Sequence, residues 1–325
     1  MNVVTHASRY KQGNENMLRL KIRFRFLLFT FLLCSASVAQ AEYIEITLLG
    51  TGTPKPDVRR FGPSTVIEAG GRFFLFDVGR GASIRLQQSD IPIQEINHVF
   101  LTHLHSDHIG GFSDLWLTSW IWQRQQPLNV YGPKGTSKFA KYSYKAHLQD
   151  IEFRAENTGL SKQAVGLDAK EVYDNEVVYD QDGIRVIAFL VDHKVVAPAF
   201  GYRLEYGNRV VVISGDTTYS ENLIKHAQDV DVLIHEIAMT NQSLLDENIK
   251  LQKVMSYHTT PTQAARVFGA TKPRLAVYNH VLLFAVEEDK VMQRTREYYP
   301  GDVVMGQDLM KIKVGDKIVV QNSIQ

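Results

Sequence analysis

Thr102-His103-Leu104-His105-Ser106-Asp107-His108-Ile109-Gly110-Gly111 places four metal-ligand side chains within six residues, directly after the apolar run Val99-Phe100-Leu101. Alternate side chains of an extended chain share a face, so His103 and His105 point the same way. Asp107 and His108 follow where the backbone must turn, and Gly110-Gly111 is expected to let it turn sharply before a helix. Two ligand pairs result, His103 with His105 and Asp107 with His108. One short loop can therefore serve two adjacent metal ions. A polar loop with incidental histidines is the plain alternative, and the density of ligands straight after an apolar strand speaks against it.

Outward from this loop, strands and helices alternate in two rounds. Strands are predicted at residues 43–49, 96–101, 128–131, 183–191, 230–234 and 274–278. Hairpins are predicted at 64–68 with 72–76 and at 200–205 with 209–213, and terminal strands near 303–305 and 309–314. Helices are predicted at 83–88, 112–122, 138–149, 221–228, 260–268 and 286–298. Thr260 offers a cap for the helix at 260–268, and Pro261 suits its first turn. Residues 151–182 support only a strand tendency near Val177-Val178-Tyr179. Trp116 and Trp120 share a helix face at i, i+4 and read as core ahead of a substrate wall. Strand after strand ends in an acid, a base or a metal-type residue: Asp77, His103, His193, Asp216, His235-Glu236, His280. Such gathering at one strand edge is where α/β proteins build sites. With no linker between the rounds, residues 42–325 read as one domain. The fold class is α/β, an αββα sandwich of two mixed sheets flanked by helices.

The chain has 325 residues, 44% of them hydrophobic, and a formal charge of +1. That suffices for one large or two small domains. A general basic surface is absent, which gives no reason to expect nucleic-acid binding. Near the start, Arg19, Lys21, Arg23 and Arg25 precede an apolar run at 26–34, followed by Ser35-Ala36-Ser37-Val38-Ala39-Gln40-Ala41. This is the pattern of a secretory signal peptide over residues 1–41, cleaved before Glu42. Met17 offers a second start, which would make 1–16 an untranslated extension. The apolar run is too short for a permanent span, so no stable membrane insertion is expected. The expected location is periplasmic or secreted. The only cysteine, Cys34, falls inside this segment, and Leu33 before it is too large for a lipidation site. The mature chain therefore rests on core packing and metal, without disulfides.

The 102–111 stretch resembles the H-x-H-x-D-H signature of the metallo-β-lactamase superfamily, and the resemblance covers nearly all of the chain after residue 42. It implies the αββα sandwich and a dinuclear centre. His103, His105, His193 and Asp216 would complete one site; Asp107, His108, His280 and the same Asp216 would complete the other. Residue types alone nominate Asp216 and His280 without pairing them to metals. Nitrogen and oxygen ligands without thiolate favour two Zn²⁺ ions, with Mn²⁺ or Fe²⁺ as alternatives. Diiron relatives that reduce oxygen carry a glutamate where this chain has His105, so hydrolysis is expected over redox chemistry. A hydroxide bridging two ions roughly 3.5–4 Å apart would be the nucleophile. Asp77 is expected behind the ligands, orienting one of them, with a strand cap as the alternative.

His258 in Tyr257-His258-Thr259-Thr260 and Glu236 in His235-Glu236-Ile237-Ala238 are the candidates for protonating a leaving group. They are similar, though not identical, to a His-Ser-Thr and a His-Glu-Ala-Thr motif that the ribonuclease Z branch pairs at the phosphate. Such a glutamate would keep His258 a proton donor near neutral pH; a structural His–Glu pair is the alternative. Asp107, His258 and Glu236 are thus the catalytic candidates.

Ribonuclease Z is the nearest named branch by motifs, including Asp77-Val78-Gly79-Arg80-Gly81 and Tyr131-Gly132-Pro133-Lys134-Gly135. Its transfer-RNA-processing members carry a long flexible arm between the third histidine and the bridging aspartate. Here His193 and Asp216 are separated only by enough residues for a hairpin, which makes tRNA a poor substrate expectation. Gly50-Thr51-Gly52-Thr53-Pro54 and Arg60-Phe61-Gly62-Pro63-Ser64, with the export signal, resemble a secreted arylsulfatase-like branch. Arg59 or Arg60 would be an anion contact there, Arg60 first, with a solvated loop arginine as the alternative for either. The expected activity is an exported dimetal hydrolase of small phosphodiester or aryl sulfate esters. A ribonuclease Z-type endonuclease, a lactonase and a non-catalytic metal-binding module are the alternatives. A homodimer is left open.

Overall fold

A computed structural model describes residues 43–322; the expected signal segment, Cys34 and the cleavage point before Glu42 lie outside the described residues. The first half of the chain forms β1 (Ile44–Gly50), β2 (Ser64–Ala69), β3 (Arg72–Phe76), α1 (Ala82–Gln88), β4 (Ile96–Phe100) and α2 (Ser106–Ile109). It continues with α3 (Phe112–Ile121), β5 (Leu128–Gly132), α4 (Thr136–Ala146), α5 (Leu148–Thr158) and β6 (Leu167–Glu171). The second half forms β7 (Glu176–Gln181), β8 (Ile184–Val191), β9 (Ala199–Tyr206), β10 (Arg209–Ile213), α6 (Glu221–His226) and β11 (Val232–Thr240). Then come α7 (Gln242–Glu247), α8 (Ile249–Met255), α9 (Pro261–Thr271), β12 (Leu275–Phe284), α10 (Glu288–Arg296) and β13 (Val303–Met305). β14 (Lys311–Val314) and β15 (Ile318–Gln321) return to the first sheet.

The first sheet runs β15-β14-β1-β2-β3-β4-β5-β6 and the second β13-β12-β11-β10-β9-β8-β7. Both are mixed: β3 to β6 and β10 to β13 pair in parallel, and the remaining neighbours are antiparallel. Period-two alternation builds the layers. Phe74, Phe76 and Phe100 enter the core between the sheets with Tyr202, Val211 and Val277. Leu75, Val99 and Leu101 point the other way, onto Phe112, Leu115, Trp116 and Trp120. Val212, Leu233 and Ala276 do the same on the second sheet, against Ala264 and Phe268 of α9. The result is the αββα sandwich. Trp116 and Trp120 are core residues; their indole N–H groups donate to Val165 O and Ser161 O. Among the described residues no helix is long and apolar enough to cross a membrane.

Three expectations need correction, and one unassigned segment gains structure. The helix at 138–149 is two helices, α4 and α5, broken at His147, whose backbone leaves the helical region (φ −108°, ψ 9°). The segment before His258, beyond the reach of periodicity, folds as α7 and α8, each opened by an asparagine cap, Asn241 and Asn248. β11 and β12 do not stop at Glu236 and His280. They pair on to Thr240 and Phe284, with Glu236 opposite Asn279 and Ile237 opposite Val281. His280 is thus the extra residue of a β-bulge, at φ 44°. A bulge turns one side chain out of the regular alternation, which lets a continuous strand deliver a ligand.

The third correction concerns Gly110-Gly111. Neither glycine is left-handed: φ is −66° at Gly110 and −95° at Gly111. Their smallness serves close approach. A Cβ on Gly111 would lie 2.3 Å from Gly79 O, and Gly111 N donates to Val78 O at 2.8 Å. Val78 N in turn donates to His108 O at 2.7 Å. The metal loop is thereby locked to the loop that follows Asp77. Gly111→Ala forces these backbones apart and should destabilise the fold by about 1–3 kcal/mol, the usual range for overpacking. Urea denaturation of the two proteins would measure it, and an unchanged midpoint would show that the loops yield freely.

Candidate metal centre

The strand-edge residues expected from the sequence converge. β4 leads into Thr102 and His103; α2, a single turn, carries buried Asp107 and His108. β8 leads to His193, β10 to Asp216, and the β12 bulge supplies His280. The Asp216 carboxylate is the centre: its Oδ2 lies 3.4 Å from Nε2 of His108 and of His280, and 3.9 Å from Nε2 of His103 and of His193. Asp107 Oδ2 lies 3.3 Å from His280 Nε2 and 3.6 Å from His108 Nε2. Three overlapping groupings capable of holding a metal ion emerge: His103–His105–His193–Asp216, Asp107–His108–His280 and Asp216–His258–His280; the first two match the pairs expected from the sequence, with Asp216 between them.

The donor set fits cations by its hydrogen bonding. Three imidazoles give Nδ1 to the protein: His108 to Asp77 Oδ2 at 2.7 Å, His193 to the Tyr257 carbonyl at 2.9 Å, and His103 to Thr102 Oγ1 at 3.0 Å. The Nε2 atoms of the same three rings are buried without a hydrogen-bond partner. Burying such lone pairs unpaired is unfavourable, and ligating histidines are anchored at one nitrogen so that the other can face a metal. The Tyr257 carbonyl was not anticipated from the sequence; no side-chain chemistry advertises a backbone oxygen. His105 is the half-exposed member of the set.

The electrostatics divide the ligands: burial lowers His108, but the Asp216 and Asp77 carboxylates outweigh it and hold His108 well above the usual imidazole range, whereas two others move down. Burial, then the neighbouring His108, holds His103 well below the usual imidazole range, and burial takes His193 down to about 4. Both are neutral at physiological pH and offer lone pairs. Burial pushes Asp216 up, but the imidazoles of His280 and His108 outweigh it and hold the carboxyl well below its usual range.

Beside Asp216 stands the second predicted pair. His258 Nδ1 lies 3.0 Å from both Glu236 oxygens and 4.0 Å from Asp216 Oδ2. Glu236 Oε1 also accepts from Thr217 N at 2.8 Å. Burial pulls the His258 pKa down, but the Glu236 carboxylate overcomes it and raises His258 to about 9. Asp77, His258 and Glu236 are thus all within the cluster. Arg60 is held elsewhere: its guanidinium donates to Glu288 Oε1 at 2.6 Å, Thr51 Oγ1 at 2.5 Å and Gly306 O at 2.8 Å. It braces the loop after β1, and these partners occupy the donors that an anion would need.

Zn²⁺ at a hundred times its Kd should stabilise the protein by about 2.7 kcal/mol, since it binds the folded state alone. A rise in melting temperature that chelator reverses, and that Asp216→Ala abolishes, is the expected result. Equal shifts in both proteins would place the ion elsewhere.

The family described as anti-Pycsar protein Apyc1 matches residues 44–263. Ribonuclease Z of Mycobacterium sp. (strain KMS) is 33% identical over 282 residues, covering 86% of this chain and 99% of that protein. The metallo-β-lactamase fold protein YhfI of Bacillus subtilis has a similar structure, with a TM-score of 0.65 at 16% identity over 84% of this chain and 100% of its own. A diphosphatase of the PhnP family superposes with a TM-score of 0.61 at 17% identity, covering 84% of this chain and 97% of its own.

Proposed function

From the premise that this chain belongs to the ribonuclease Z and Apyc1 family of the metallo-β-lactamase superfamily, as a metal-dependent hydrolase, we propose that it is a dimetal phosphodiesterase. The observation that carries this reading is the His258–Glu236 pair 4.0 Å from the shared Asp216. Two divalent ions, Zn²⁺ first, would supply Lewis acidity, activating a water and offsetting charge on the phosphoryl oxygens. Asp107, buried and 3.3 Å from His280, would help hold an ion with His108 and His280 and would be the carboxylate placed to accept a proton of the attacking water. Glu236 holds the Nδ1 proton of His258, which leaves Nε2 for the substrate. As the P–O bond to the leaving group breaks, the departing oxygen takes the Nε2 proton, and Glu236 steadies the imidazole before and after.

Phosphorus is favoured over sulfur because the related proteins with named reactions, a ribonuclease and a diphosphatase, act on phosphate bonds. The missing arm does not by itself remove RNA from the candidates. The ribonuclease Z relative is covered over 99% of its length by an alignment of 282 residues, so it too has no room for a long additional segment. Small phosphodiesters remain the first choice because Arg60, a sequence candidate for an anion contact, is engaged, and a formal charge of +1 gives no reason to expect a nucleic-acid partner.

Turnover of a nitrophenyl phosphodiester, an aryl sulfate, a homoserine lactone and a tRNA precursor would test the reading, with Asp107→Ala as control. Phosphodiester turnover lost in the control supports it; lactone or sulfate turnover alone overturns it. His258→Ala should slow poor leaving groups by about 10²–10⁴-fold, the usual yield of a positioned acid, and good leaving groups far less. Equal losses on both would remove the acid role. We also propose that the protein is exported. N-terminal sequencing of the native protein should begin at Glu42, and a retained Met1 or Met17 would contradict export.

A further inference from the structure

We propose that Thr102 is a positioning residue which, through Asp77, couples the two metal positions. This rests on the dimetal reading above. Thr102 is wholly buried and Asp77 nearly so. Asp77 Oδ1 accepts from Thr102 N at 2.8 Å. Asp77 Oδ2 lies 2.8 Å from Thr102 Oγ1 and 2.7 Å from His108 Nδ1. An ionised carboxylate offers only acceptors, so the single hydroxyl proton of Thr102 goes to Asp77. The hydroxyl then meets His103 Nδ1, 3.0 Å away, as an acceptor. That sets the His103 proton on Nδ1 and leaves Nε2 bare. The direct bond from His108 to Asp77 sets the same tautomer there. Both Nε2 atoms are buried without a hydrogen-bond partner and face the Asp216 carboxylate.

The two rings belong to different metal groupings, His103 with His193 and His108 with His280. One carboxylate therefore orients a ligand of each ion, one directly and one through the hydroxyl. The hydroxyl itself is locked in place. Thr102 O accepts from Phe200 N at 2.9 Å, and a Cβ on Gly215 would come within 2.9 Å of Thr102 Cβ. Thr102 is in this way clamped between the metal loop and the turn that carries Asp216.

Thr102→Val keeps the shape and removes the acceptor. It strands the Nδ1 proton of His103 and frees the ring to adopt the Nε2–H tautomer, which competes with a cation. Titration of chelator-stripped protein with Co²⁺, followed by its absorption spectrum, tests this. Wild type should take up two equivalents. In T102V one equivalent should bind 10–100-fold more weakly, the usual loss when a ligand's support is removed, and T102S should restore it. A wild-type-like titration of T102V would overturn the proposal alone. No cobalt uptake by wild type would overturn it together with the functional reading. Ring-nitrogen NMR of loaded wild type, which needs no variant, should show His103 and His108 as Nδ1–H tautomers; an Nε2–H form of His103 would also refute the coupling.

Discussion

The Asp216 carboxylate lies within 3.4–3.9 Å of imidazole nitrogens from both sheets. A carboxylate taken out of water is unfavourable unless donors or cations surround it. His103 and His108 reach it from the loop after β4 in the first sheet, and His193 and His280 from the second. The two sheets must therefore present the same edge at the same place. The sandwich satisfies this because β3 to β5 and β10 to β12 pair in parallel and end side by side. A parallel arrangement collects strand ends at one rim, where an antiparallel meander would scatter them.

Close backbone contacts lock the rim. Gly111 against Gly79, and Gly215 against Thr102, leave no room for a Cβ. Gly215 also sits at φ 61°, a conformation natural to glycine, and so turns the chain from β10 into Asp216. On the opposite side the His280 bulge solves a different problem. β12 is buried from Leu275 to Leu282, so one inserted residue re-aims a side chain while pairing continues. Local irregularity at His280 is the means by which a core strand serves the centre.

The chemistry was legible where residue type and local period coincide. The 102–111 loop names itself, since imidazoles and a carboxylate at that spacing have few other uses. Thr260 with Pro261 marks a helix start, and the structure shows a full capping box there with Gln263. The apolar runs of β4, β8 and β10 read directly as strands. Shorter-range order was illegible. α5 buries only Ile151 and α7 buries no residue, so neither carries a core-facing stripe to detect. The continuation of β11 past Glu236 was hidden because a buried polar pair looks like a strand end when its partners are unknown.

What the sequence by itself determined is the inventory and its order: a ligand-rich loop after an apolar strand, further histidines and acids at later strand ends, and alternation that puts one face of each strand in each core. These depend on local chemistry and on the two-residue period of a strand. Only the tertiary structure decided which atoms meet. It made Asp216 common to both groupings, gave Nδ1 of His193 to a backbone carbonyl, joined Thr102 to Asp77 across two loops, and turned Arg60 toward Glu288. Each of these depends on distances between segments far apart in the chain, which packing sets and no local pattern encodes.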